Sequence, residues 1–266
     1  MQPPQCLDAD AIRRNLNTNY LGRSLMLVDE CTSTNDLADA KATEGAPHGF
    51  VVIAERQVKG RGRKGRLWFS PDGGIWLTAV IRPQEPQDLN TLPLICALAV
   101  SNATNREFKL DSRVRWPNDV ILNNRKLAGV LAEARVKGTK FTYVLVGIGL
   151  NANFETKQID AIRGIAVSLQ DSIGYPIRRE PLIGSILNEM ERMYDMLNSV
   201  GEEKILAQLR QVDWSHGKDV RIKMDNREVI GEFYDFETLS KVRILTPLGL
   251  QTIKTDAVIS VEYESN

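Results

Sequence analysis

Short runs of apolar residues, separated by stripes of helical spacing, occupy most of the chain before residue 217. Continuous runs are typical of buried strands, whereas apolar residues at intervals of three and four positions predict helices. Strands are predicted at residues 25–28, 49–54, 74–81, 114–122, 126–133 and 141–150. Helices are predicted after Asp8 or Asp10, from residue 94 onward, and over residues 36–44, 181–197 and 202–211. The pattern predicts a main domain in which helices pack on a sheet.

The pattern changes after residue 217, where short strands alternate with turns. Asp225-Asn226 and Pro247-Leu248-Gly249 are turn signals. Strands are predicted at residues 220–223, 228–236, 242–245, 249–253 and 257–261. This spacing predicts a small SH3-like β-barrel. We therefore expect two domains, one over residues 1–214 and one over residues 215–266.

Composition limits the class of protein. The chain has 34 Lys and Arg residues against 34 Asp and Glu residues, so it is not a basic nucleic-acid binder as a whole. The cysteines at positions 6, 31 and 96 do not form a zinc-ligand pattern with the two histidines, which favours a reducing cytosol. No apolar run approaches the roughly 20 residues that span a bilayer. We expect a cytoplasmic protein with no membrane partner.

A cationic, glycine-rich stretch between two predicted strands is the strongest local signal. Five of the eight residues from Lys59 to Arg66 are Lys or Arg, and the other three are Gly. Glycine lets the backbone approach a bound group, so the stretch predicts a mobile loop that closes over a phosphate or carboxylate. A solvated or nucleic-acid-binding segment is the alternative. The sequence lacks the ending of a P-loop, and turn residues at 67–73 argue against a dinucleotide fingerprint.

Other polar residues lie where strands end or turn. A predicted helix follows Thr32, Ser33 and Thr34, and one of these residues would cap it. Adjacent hydroxyl groups would also bind a polar ring or amide. Asp119 lies beside Arg115 in a predicted turn, either as a turn residue or as a functional acid. Lys126 begins a strand, where a solvated edge charge is the alternative to a functional role.

Gly147 and Gly149 lie two positions apart in the predicted strand over residues 141–150. They leave one face of that strand without side chains. This predicts that a ligand or another backbone lies against the strand.

Five motifs, considered together, resemble those of the biotin protein ligases. They are Ser33-Thr34-Asn35, Gln57 with residues 60–66 and Trp68, Trp116-Pro117-Asn118-Asp119, Lys126-Leu127-Ala128-Gly129, and residues 147–151. Enzymes of this family activate biotin with ATP and attach it to a lysine of a carrier domain. The resemblance implies an α+β fold with a mixed central sheet flanked by helices, as in class II synthetases and biotin and lipoate ligases, followed by the SH3-like barrel.

The resemblance also implies roles for individual residues. The implied catalytic residues are Lys126, Arg63 and Asp119, and Asp119 is also the implied Mg²⁺ ligand. The implied biotin-binding residues are Ser33, Thr34, Asn35, Gln57, Gly60, Arg61, Gly62, Arg63, Lys126 and Gly129. The implied ATP- or adenylate-binding residues are Arg63, Arg66, Trp68, Arg115, Asn118, Asp119, Lys126 and Asn151.

The implied partners are biotin, ATP and the biotin carboxyl carrier domain of a carboxylase, and the family allows a homodimer. Residues 1–20 leave room for one short helix, so we expect a ligase without an N-terminal DNA-binding repressor domain. Arg115 departs from the family, which usually has Lys there, and a planar guanidinium does not automatically replace an ammonium. The alternatives are a lipoate or octanoate ligase, a nucleic-acid-binding module, and a binding-only relative without turnover.

Overall fold

The computed structural model describes residues 6–83, 90–137 and 140–264. In these residues the helices are α1 (Ala9–Arg14), α2 (Thr34–Thr43), α3 (Leu92–Phe108), α4 (Leu169–Ile173), α5 (Arg179–Val200) and α6 (Glu203–Gln211). The strands are β1 (Leu25–Cys31), β2 (Val51–Gln57), β3 (Ile75–Ile81), β4 (Arg113–Arg115), β5 (Asp119–Leu122), β6 (Arg125–Lys137), β7 (Lys140–Leu150), β8 (Asp219–Met224), β9 (Glu228–Thr238), β10 (Lys241–Thr246), β11 (Gly249–Lys254) and β12 (Val258–Tyr263).

The main sheet is mixed and lies between helices. Within the described residues its seven strands follow the order β1-β2-β3-β7-β6-β5-β4. β1 runs parallel to β2, and β2, β3 and β7 pair antiparallel. Val52 packs with α2 residues on one face, whereas Val51 and Ile53 pack with α3 and α5 residues on the other. The expected α+β fold, with helices flanking a mixed sheet, is confirmed.

Burial on both faces explains why the central strands are continuous apolar runs. All seven residues of β3 are buried. Because successive side chains point to opposite faces, a strand between two helical layers needs apolar residues at every position. The same arrangement makes these strands easy to predict from sequence.

The strands β4, β5 and β6 bring the polar motifs to one edge of the sheet. Arg115 and Asp119 are register partners across the tight turn between β4 and β5. Asn123 and Asn124 have φ of 51° and 57°, which is the left-handed conformation of a two-residue hairpin turn. The turn predicted at Asp119 is present. β6 is longer than predicted and reaches residue 137.

The C-terminal strands form an antiparallel sheet of order β11-β10-β9-β8-β12. In the described part of the chain β11 and β12 do not pair with each other, so the expected SH3-like unit is an open sheet and not a closed barrel. Trp116 packs on Phe233 with ring centroids 5.9 Å apart, which joins this sheet to the main core. The division at residues 214 and 215 stays a prediction, because one continuous apolar core contains residues of both sheets.

The described helices include none that has both the length and the apolar character needed to cross a membrane.

Candidate active site

One cavity of about 490 Å³ brings the predicted motifs together. Its wall comes from the start of α2, the loop after β2, the β4–β5 turn, β6, β7 and the C-terminal strand β12. Gly60 is the one predicted site residue that does not line it. The predicted residues that do are Ser33, Thr34, Asn35, Gln57, Arg61, Gly62, Arg63, Arg66, Trp68, Arg115, Asn118, Asp119, Lys126, Gly129 and Asn151.

One end of the cavity is a network of uncharged donors and acceptors. Gln57 Oε1 accepts hydrogen bonds from the Thr34 backbone N–H at 2.7 Å and from Thr34 Oγ1 at 3.0 Å. Thr78 Oγ1 lies 2.7 Å from Thr34 Oγ1 and 2.6 Å from Asn35 Oδ1. Ser33 caps α2 by accepting from the Asn35 backbone N–H. These side chains are mutually oriented before any ligand arrives.

The glycine-rich loop folds back on itself. Gly60 is buried, and a Cβ atom at this position would lie 2.5 Å from both Ser70 Oγ and the Trp68 carbonyl oxygen. The Trp68 N–H donates to the Gly60 carbonyl at 2.8 Å. Lys64 adopts a left-handed conformation with φ of 58° at the tip. Gly60 therefore shapes the loop from outside the cavity.

Arg61 is held by two carboxylates. It donates to Asp36 and, at 3.1 Å, to Glu133 Oε2. Glu133 also accepts from Asn35 Nδ2 at 2.8 Å, so the loop is tied to the uncharged end of the cavity. An anionic ligand has to compete with these carboxylates for Arg61.

Two side chains fill the space above the strand glycines. A Cβ atom at residue 147 would lie 2.4 Å from Asn35 Oδ1, and one at Gly149 would lie 2.4 Å from Trp68 Nε1. Gly147 and Gly149 nevertheless line the cavity beside these two side chains, so the expectation that a ligand lies against this strand stays a prediction. Trp68 Nε1 is buried and has no hydrogen-bond partner among the described residues.

The other end of the cavity is charged. Lys126 Nζ lies 2.6 Å from Asp119 Oδ1 and 5.0 Å from the centroid of the Trp68 ring. Asp119 Oδ2 accepts from Arg115 at 2.7 Å. Burial alone would raise the pKa of Asp119, but Lys126 and Arg115 hold that pKa below the ordinary value of 3.8. Asp119 is therefore ionised at neutral pH.

The surroundings of Asp119 do not fit a Mg²⁺ site built by the protein. Mg²⁺ prefers octahedral oxygen ligands. Both oxygens of Asp119 are engaged by cations, and in the part of the chain that the structure describes no three acidic, His or Cys side chains converge on one point. The Mg²⁺ role expected for Asp119 stays a prediction that this geometry does not support.

Arg63 connects the loop to the β4–β5 turn and to the C-terminal sheet. It donates to Asn118 Oδ1 and to the Val258 carbonyl oxygen, each at 3.3 Å. Burial lowers the pKa of Arg63, and its two acceptors are uncharged, so its charge is available to an anion. Arg66 is exposed and lines the cavity beside it.

Asn118 and Asn151 line the cavity and also stabilise its backbone through side-chain hydrogen bonds. Asn118 Nδ2 donates to the Val130 carbonyl at 2.7 Å. Asn151 Nδ2 donates to the Lys126 and Val167 carbonyls at 3.3 and 3.2 Å. These bonds fix the β4–β5 turn and the start of β6, which carry Asp119 and Lys126.

Sequence reasoning missed several residues of the site. Glu133 lies in a predicted strand without any motif, and its role appears only through its contacts with Asn35 and Arg61. Four missed residues between β7 and α4 also line the cavity, and no motif marks them in the sequence. The missed lining residues are Leu67, Phe69, Val130, Leu131, Ala161, Ile162, Ile165, Ala166, Ile259, Ser260, Val261 and Tyr263.

Comparison with known proteins places this cavity in a family. Residues 28–151, which supply most of its wall, match the model of the biotin/lipoate A/B protein ligase family. The chain carries a biotin/lipoate A/B protein ligase domain. The expected family is confirmed for this region.

Relatives of the ligase family match beyond that region. A bifunctional ligase/repressor BirA of Bacillus spizizenii is 34% identical over 197 residues, which is 73% of this chain and 61% of the relative. The chain thus spans less than two thirds of that relative's length. A biotin--[acetyl-CoA-carboxylase] ligase of Paracoccus denitrificans is 28% identical over 231 residues, or 84% of this chain and 95% of the relative.

Solved structures give the same fold. A biotin protein ligase from Aquifex aeolicus, in complex with biotin and ATP, superimposes with a TM-score of 0.81 at 25% identity. It covers 91% of this chain and 100% of that chain. The similarity includes the C-terminal sheet as well as the ligase domain, because it extends over nearly the whole chain.

Proposed function

We propose that this protein is an ATP-dependent biotin protein ligase. It forms biotinyl-5′-AMP from biotin and ATP with release of pyrophosphate, and then transfers biotin to a lysine of a biotin carboxyl carrier domain. One observation carries the proposal: a single cavity joins an uncharged donor and acceptor network to a cationic end. An adenylating enzyme needs both, because it must align a neutral ring and a polyphosphate in one place.

The uncharged end fits the ureido ring of biotin. A ureido group offers two N–H donors and a carbonyl acceptor. Ser33, Thr34, Asn35 and Gln57 supply hydroxyl and amide groups of both kinds.

The cationic end fits the reacting carboxylate and phosphate. Attack of the biotin carboxylate on the α-phosphate concentrates negative charge at phosphorus and on the leaving pyrophosphate. Lys126 provides a compact charge at this place, and Arg63 provides a second charge whose acceptors are uncharged. Fixed cations of this kind stabilise the transition state more than the ground state.

Asp119 is better suited to holding Lys126 and Arg115 than to acting as a base. Its lowered pKa makes the carboxylate a weak proton acceptor, and both oxygens already face cations. We propose that the acceptor lysine loses its proton to another group or to water. The Mg²⁺ that accompanies ATP is proposed to be bound by the phosphates.

Other parts of the proposal are independent of this geometry. The family resemblance supports the carrier domain as acceptor. A cytoplasmic location, the absence of DNA binding and a homodimer stay predictions.

Biotin-dependent exchange of labelled pyrophosphate into ATP tests the first half-reaction. Exchange with biotin, but not with lipoate or without acid, supports the proposal. Exchange with lipoate or octanoate instead supports the alternative that shares this fold. Folded protein that gives no exchange with any of these acids contradicts the proposal and leaves a binding-only relative.

A further inference from the structure

Arg115 lies against two aromatic side chains of the C-terminal part of the chain. Its Cζ atom is 5.6 Å from the centroid of the Trp214 ring and 5.6 Å from that of Tyr263. The two rings meet edge to face with centroids 5.3 Å apart and an interplanar angle of 75°. We call Trp214 and Tyr263 the arginine socket.

The socket favours a guanidinium over an ammonium. A planar guanidinium binds aromatic faces while its N–H groups still donate to a carboxylate, whereas lysine presents a point charge that is more strongly hydrated. Arg115 makes both contacts, because it also donates to Asp119 at 2.7 Å. Its departure from the lysine usual in the family therefore has a structural reason in this chain.

Tyr263 also fixes the backbone of the β4–β5 turn. Its hydroxyl donates to the Trp116 carbonyl at 2.7 Å, and the Trp116 N–H donates to Ser215 Oγ at 2.9 Å. The Ser215 and Tyr263 oxygens are 3.0 Å apart. Because the phenol has one hydrogen and a carbonyl only accepts, the serine hydroxyl donates to the tyrosine oxygen. The three residues form a closed ring of hydrogen bonds beside the socket.

We propose that Trp214 and Tyr263 are positioning residues of the adenylation centre. They hold Arg115 against Asp119, and Asp119 holds Lys126 at the cavity, with contacts of 2.7 and 2.6 Å. The catalytic consequence rests on the proposed function, whereas the positioning itself does not. The C-terminal sheet thereby contributes to the placement of Lys126 without providing a catalytic group.

Double-mutant cycles in urea unfolding test the positioning without any activity. Arg115→Lys is expected to lower the ratio of folded to unfolded protein in both backgrounds. The decrease is expected to be about three- to tenfold larger in the wild-type chain than in Tyr263→Leu. The coupling between Arg115→Lys and Asp119→Asn is likewise expected to shrink in Tyr263→Leu, because the guanidinium is no longer held in place. Additive effects in these cycles overturn the proposal.

Two further variants separate the ring from the fold. Tyr263→Phe keeps the ring but loses the hydroxyl, so it is expected to retain the Arg115 coupling. Trp214→Leu removes the other ring of the socket and takes the place of Tyr263→Leu in the cycles if that variant does not fold. Tyr234→Leu is the matched control, because Tyr234 lies in the same sheet and carries Arg243 at 5.4 Å from its ring. The control is expected to leave the coupling between Arg115 and Asp119 unchanged. A coupling lost equally in the control overturns the role of the socket.

Exchange kinetics test the catalytic consequence. In folded Tyr263→Leu we expect a raised KM for ATP and a lowered kcat, with KM for biotin unchanged, because the socket lies at the charged end of the cavity. Simple destabilisation would reduce only the concentration of active enzyme and leave both KM values unchanged. If the unfolding cycles show coupling but the exchange kinetics are unchanged, the socket positions Arg115 without affecting catalysis. That result overturns the catalytic consequence of the proposal. If the wild-type protein gives no exchange, the proposed function fails while the unfolding cycles still decide the positioning.

Discussion

Replacing Gly149 with alanine tests how closely the wall of the cavity is packed. The added Cβ would lie 2.4 Å from Trp68 Nε1 and 2.5 Å from Trp68 Cε2, whereas ordinary contacts begin at 3.4 Å. The indole must therefore move by about 1 Å, the difference between the closest of these distances and an ordinary contact. Lys126 Nζ lies 5.0 Å from the centroid of the same ring, so the lysine would be displaced with it.

The substitution is expected to affect both the stability of the fold and the rate of the reaction. Overpacking a buried site costs about 1–3 kcal/mol in the free energy of unfolding. A displacement of about 1 Å at a reacting centre reduces the rate by up to about 10²-fold, because the geometry for attack is lost. We therefore expect Gly149→Ala to fold with reduced stability and to catalyse biotin-dependent pyrophosphate exchange about 10- to 100-fold more slowly per folded molecule. Urea unfolding gives the folded fraction used for the correction.

Gly231 provides the matched control. A Cβ atom there would also lie 2.4 Å from a neighbour, the Leu245 carbonyl oxygen, but in the C-terminal sheet and away from the cavity. Gly231→Ala is expected to lose stability and to keep the exchange rate of each folded molecule. The reasoning is refuted if Gly149→Ala exchanges within about twofold of the wild type, or if Gly231→Ala is equally slow.

Three further predictions concern individual charges. Lys126→Ala is expected to reduce exchange by about 10²-fold or more, whereas Lys41→Ala, which removes a partly exposed lysine paired with Glu44, is expected to keep the wild-type rate. Arg63→Ala is expected to release biotinyl-adenylate and label non-carrier proteins, which a streptavidin blot detects; unchanged selectivity contradicts this. Burial raises the pKa of Asp213 to about 6, so the folded state binds this proton more tightly and stability falls as pH rises from about 4 to 6. Asp213→Asn is expected to reduce the difference between the free energies of unfolding measured in urea at about pH 4 and at about pH 7. A difference equal to that of the wild type refutes this prediction.

The elements that the sequence predicted well are those whose pattern reflects burial. β2 is apolar over its first four residues and β3 is apolar except for Thr78, because helices cover both faces. α4 was missed because a helix of five residues shows too little periodicity, although Ser168 and Asp171 form a capping box. β1 extends beyond the predicted apolar residues to Cys31. The prediction stopped short because Asp29 and Glu30 are charged and exposed, as is common on an edge strand.

The sequence could not show whether the C-terminal sheet closes into a barrel, and the reason is different. The strand predicted at residues 228–236 is present as β9. Whether the first and last strands of a sheet also pair depends on its twist and on how its strands bend. Bulges such as the register shifts between β9 and β10 are not visible in the alternation of residues.

The contacts that decide the roles of the loop cations lie far apart in the chain. Motifs identified Arg61 and Arg63 equally, since both are cations between glycines. Arg61, however, is neutralised by Asp36 and by Glu133, and Glu133 is 72 residues away in sequence. Arg63 instead donates to uncharged oxygens, one of them in a strand 195 residues away. Because carboxylates neutralise Arg61 but not Arg63, Arg63 is the loop cation whose charge is available to an anionic ligand. Ligand binding is therefore expected to depend more on Arg63 than on Arg61.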